Sequence, residues 1–232
     1  MLRISKASLN ALEASSWPGF VAGLTDELLE EYPDELEPYP EQVRTQMVAN
    51  MVARARARWN LQSQEALAAY CELALSVAPN FDEDPDVQGA LRSQADAETV
   101  VLEIGDLVPD KVWERVEAHA ACLPLYVPSD LMDAPLAKRV EAAAKLLLED
   151  RIPPNALAEA AARAVAIAER LGFSDDDDAG LVILASQAVW GRALFDTDFP
   201  DWVRKVLNEN YSAQRKVESI RIALADAADL IV

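Results

Sequence analysis

The sequence predicts an all-α protein, a helical bundle or array built from two degenerate repeat units. Three observations carry this reading. Apolar residues recur at helical spacing along most of the 232 residues, glycine occurs only seven times while alanine is abundant, and no segment alternates apolar and polar residues as a half-buried strand would. At 51% apolar, the chain has the material for a core without covalent staples.

The elements follow in order. Ser5 is placed to cap a first helix carrying Leu9 and Leu12. "SSWPGF" interrupts it, and Pro18 suits the first turn of a second helix that runs to about Glu31. "EYPDELEPYPEQ", with three prolines, reads as a connector. Val43, Met47, Met51 and Ala55 then step by four along a helix that ends near "RWNL", where Asn60 fits a left-handed C-cap. Ser63 caps the next helix, whose predicted apolar stripe is Leu67, Tyr70, Leu73 and Val77. Short helices are expected around 85–93 and 96–104, and another from Pro109 to about Ala121. "CLPLYVP" (122–128) is the one segment that reads as extended, and as the linker between two units, 1–122 and 129–232, packed as one globular body.

In the second unit a helix is expected near 134–149. The next follows the Pro153–Pro154 pair and is closed by Gly172. "DDDDAGLVILASQAVWGRAL" reads as an acid-capped, mostly buried helix, "FPDWVRKVLNENY" as a short one, and Ser212 opens the last.

The two units align loosely. "LAAYCELALSVAPNFDEDPDV" lies over "VILASQAVWGRALFDTDFPDW", placing Leu67 on Leu181, Phe81 on Phe195, Asp82 on Asp196 and Asp84 on Asp198. One inserted residue, Phe199, brings Pro85 onto Pro200 and Asp86 onto Asp201. "RWNL" matches "RLGF", and Ala97, Val101 and Ile104 recur as Ala213, Val217 and Ile220.

A formal charge of −19 argues against binding to phosphate backbones or anionic membranes. Cys71 and Cys122 have no CxxC spacing and read as buried thiols in a reducing compartment. The opening "MLRISKASLNALEASS" lacks a long apolar core, and no apolar run approaches the roughly 18 residues that span a bilayer. The expected location is the cytoplasm.

The acid motifs fail the sharper tests. A calcium loop counted from Asp82 has Val87 where glycine is needed and Ser93 where the bidentate glutamate belongs; one counted from Asp175 ends on Ser186. Instead Asp84 suits an N-cap with Pro85 opening the helix and Phe81 packing behind, and Asp198 with Phe195 repeats the pattern. His119 is the only histidine, which excludes a zinc site of two or more histidines, and no phosphate-binding glycine loop is present. "RARAR" (54–58) reads as a solvated helix end, and the five tryptophans as core, with Trp202 partly exposed. Residues 26–41 hold eight acids and no base, the best surface for a basic partner.

"ISKASLNALEASSWPGFVAGLTDELLEEYP" resembles the opening of small bacterial proteins that accompany type VI secretion effectors. "VRTQMVANMVARARARWNL" and "SQEALAAYCELALSVAPNFDEDP" resemble their later blocks, with Asn60 where a glycine is common. "FDTDFPDWVRKVLNENYSAQRKVESI" is similar to their closing segment. The likeness spans residues 1–105 and, more faintly, 155–225; the WPG break and the second unit depart from the single-copy pattern. It implies an effector-linked binding role without known catalytic residues.

The expected function is therefore non-catalytic: an immunity protein that neutralises a basic-faced effector toxin, needing no cofactor or metal. An effector chaperone or adaptor, a helical scaffold unrelated to toxins, and an enzyme using paired carboxylates are the alternatives. The expected contact residues are Glu30, Glu31, Asp34, Glu35, Asp82, Asp84, Asp175, Asp176, Asp177 and Trp202.

Overall fold

A computed structural model describes residues 17–93, 96–148, 151–174, 176–195, 200–208 and 210–228. Among them are thirteen α-helices, four short 3-10 turns and no strand, so the protein is all-α. The chain divides into two compact units, Met1–Ala120 and Ala121–Val232. The predicted helix around Leu9 and Leu12, with its Ser5 cap, lies outside the described residues, as do Asp175 and the motif residues Asp196 and Asp198.

In the first unit α1 (Trp17–Glu31) carries Pro18 in its first turn, and its buried Phe20, Val21, Leu24 and Leu28 face the core. The connector is not wholly irregular: Pro33 opens α2 (Pro33–Leu36), a single turn that buries Leu36. The core helix α3 (Glu41–Trp59) buries Met47, Val48, Met51, Val52 and Ala55 and packs on α1 and α4 (Gln64–Ser76). Asn60 closes α3 in the left-handed region, φ 57°, as its sequence position suggests. Ser63 caps α4 by accepting the Ala66 N–H at 3.2 Å. The buried stripe of α4 is Ala66, Leu67, Tyr70, Cys71 and Ala74; Leu73 and Val77 are half-buried, so the stripe sits one position round from the predicted one. A 3-10 turn (Phe81–Glu83), α5 (Pro85–Arg92), α6 (Ala97–Leu107) and α7 (Asp110–Ala118) complete the unit.

The second unit opens on a correction. "CLPLYVP" is not extended: Leu123–Tyr126 form one helical turn, α8, with all four residues buried. α9 (Leu136–Leu148), α10 (Leu157–Arg170) and α11 (Ala179–Trp190) pack on one another. α11 buries nine consecutive residues, Ala179 to Gln187, because helices cover it on several sides. Gly180 permits the close approach: a Cβ there would stand 2.9 Å from Val165 Cγ2 and 3.1 Å from Val140 Cγ2. Gly172 closes the α10 segment at φ 85°. α12 (Asp201–Asn208) and α13 (Ala213–Ala228) finish the chain, Ser212 Oγ accepting the Arg215 N–H at 3.3 Å.

Candidate functional site

Charge is unevenly shared. The first unit holds 22 acids against nine lysines and arginines, the second 18 against twelve. The excess concentrates at residues 26–41, across the end of α1, all of α2 and the start of α3. Asp26, Glu27, Glu30, Glu31, Asp34, Glu35, Glu37 and Glu41 are all exposed. The helical spacing turns Leu24, Leu28 and Leu36 inward, leaving the acids on the wet face. None of the eight carboxylates forms a salt bridge among the described residues. Burial, then Glu31, Glu72 and Glu35, push the Tyr32 phenol up, and burial followed by Glu31 raises the Glu72 carboxyl. Such a surface holds a cation cheaply and repels an anion.

The "FDEDPD" turn has a different job. Asp82, expected at a partner surface, is fully buried and cannot meet one. Its Oδ1 accepts from Arg54 Nη2 at 2.6 Å and Nε at 3.2 Å, and its Oδ2 from the Trp59 indole N–H at 2.8 Å. Arg58 Nε lies 3.3 Å from Oδ2, and Glu83 takes Arg54 at 2.7 Å and Arg58 at 3.3 Å. The expected solvated "RARAR" end is corrected at Arg54 alone: Arg54 is buried while Arg56 and Arg58 are exposed, and Asp82 folds back from 28 residues downstream to pair with Arg54 and from 24 to pair with Arg58. Arg56 stacks 4.4 Å over the Trp17 ring. Beside this network, burial and then the Asp82 charge push the Tyr70 phenol well above its ordinary value.

Asp84 does cap α5, accepting from Asp86 N at 2.9 Å and Val87 N at 3.5 Å, with Phe81 fully buried behind it. Its carboxylate is also gripped by Arg115, Nε to Oδ2 at 2.8 Å and Nη2 to Oδ1 at 2.7 Å; the same Nη2 reaches Asp86 Oδ2 at 2.7 Å. That bidentate guanidinium holds the Asp84 carboxyl below the ordinary aspartate value. Asn80, Glu83, Asp84, Asp86, Arg115 and His119 line a cleft of about 470 Å³.

In the second unit the acid run is divided between tasks. Asp178, buried, does not cap its own helix through its side chain. It accepts from Cys122 N at 2.7 Å and Leu123 N at 2.6 Å, capping α8, and pairs with Arg221 at 2.7 Å. Asp176 and Asp177 are half-buried; Asp176 Oδ1 accepts the Asp178 N–H at 3.0 Å, and Asp177 lies 3.6 Å from Arg139. Burial, then Asp178, raise the Asp176 carboxyl. Trp202 is half-buried against Trp190, ring centroids 4.7 Å apart. Trp17 is exposed rather than core, and Trp113 and Trp190 are half-buried. Cys71 is buried, and Cys122 is half-buried as a residue with its sulfur covered beside Arg221.

The residues expected at a partner surface therefore separate. Glu30, Glu31, Asp34 and Glu35 are all exposed where α1 passes into α2; Asp84 lines a cleft; Asp82 is internal; Asp176, Asp177 and Trp202 belong to the second unit. No group of three His, Cys, Asp or Glu among the described residues is arranged to hold a metal ion. No helix among them is long and apolar enough to cross a membrane. No protein-family model, curated protein or solved structure matches the chain.

Proposed function

We propose that this chain is a non-catalytic binding protein that captures a basic-faced protein partner on the acidic surface of residues 26–41. The partner is a toxic effector of a type VI secretion system, and the chain acts in the cytoplasm as its immunity protein. One observation carries the binding reading: eight exposed carboxylates lie in sixteen residues with no counter-cation among the described residues. A chain that folds around so much unscreened charge stands to gain from a cationic surface. The assignment to an effector rests on the resemblance of residues 1–105 to effector-associated proteins. A non-catalytic role is supported by the acids of the "FDEDPD" motif: arginines and backbone N–H groups already hold Asp82 and Asp84.

The test is growth of a host expressing a candidate effector drawn from the genes neighbouring this one, with and without this chain. Rescue together with co-purification is the expected result. Binding without rescue favours a loading chaperone, and toxicity of this chain alone overturns the reading.

We also propose that the two units descend from one. Asn60 and Gly172 both take positive φ, Phe81 and Phe195 are both fully buried, and Ile104 and Ile220 repeat as core positions. These likenesses support the repeat.

A further inference from the structure

We draw no further inference here: the strongest candidate, the outward face of α1 where Gly19, Ala22 and Gly23 lead into Asp26, Glu27 and Glu30, is a stripe of small residues running into the acidic surface already described, and nothing in the structure shows what covers it.

Discussion

At the scale of single residues, the buried ion network around Asp82 sets the sharpest expectations. Arg54→Ala strips buried Asp82 of its shortest ion pair, leaving it Arg58 and the Trp59 N–H, and Asp82→Ala leaves Arg54 with Glu83 alone, so either should cost about 3 kcal/mol in chemical unfolding. Arg54→Met combined with Asp82→Leu should restore part of that loss, because the uncompensated charge disappears with its partner. Strict additivity of the two single losses would show that the pair is not coupled. Asp84 makes a pH prediction. Its folded carboxyl is held below the ordinary value of 3.8 by Arg115 and by the backbone N–H groups of α5. The stabilisation is therefore complete above about pH 4 and fades as pH falls through the lower folded value. Asp84→Ala should cost about 1–2 kcal/mol at neutral pH through the lost cap, and the acid-side stability curve should flatten. Neither residue's partner is local: Arg54 meets Asp82 across 28 positions and Arg115 meets Asp84 across 31. Sequence spacing shows the cap and hides the pair.

At the scale of elements, local chemistry was largely readable and remote chemistry was not. Asn60, Ser63, Asp84, Gly172 and Ser212 each end or begin a helix where turn and capping preferences place them. Leu123–Tyr126 misled because Leu, Tyr and Val around a proline read as extended. The turn becomes helical because Asp178, 55 positions on, supplies the acceptor its first N–H groups need. Likewise Glu98 serves the start of α4 from another helix, accepting the Gln62 and Ser63 N–H groups and drawing its own carboxyl below the ordinary value. Asp178→Ala should therefore unravel α8 and free Arg221 together, and amide exchange at Leu123–Tyr126 should accelerate ahead of α9 and α10. Exchange that rises uniformly across the second unit would contradict this. Cys122 offers an independent check. Burial, then the Asp178 charge, push its thiol up to about 12 against the pull of Arg221, so alkylation at neutral pH should be slow.

At the scale of the whole molecule, composition spoke clearly for helix and for a strongly acidic surface, and the thirteen helices agree. The candidate site was legible only in part. Counting charges located residues 26–41 because exposed acids need no remote partner to be recognised. The cleft was out of reach, since it needs Asn80 and Glu83 beside Arg115 and His119, more than 30 positions away. The proposed repeat also has limits. The buried Arg54, Trp59 and Tyr70 align with Ala166, Leu171 and Leu184, so the ion network belongs to the first unit alone. That unit also carries most of the net charge, which makes it the half expected to bind.

Electrostatic capture by residues 26–41 would be read first in association kinetics. The measurement is the association rate with whatever protein partner co-purifies with the chain as ionic strength rises, for the natural chain and for Glu30→Lys, Glu31→Lys, Asp34→Lys and Glu35→Lys combined. Fast association that slows steeply with salt is expected for the natural chain, and the reversed surface should associate at least about tenfold more slowly with little salt dependence left. Equal rates and equal salt slopes for the two proteins would contradict electrostatic capture.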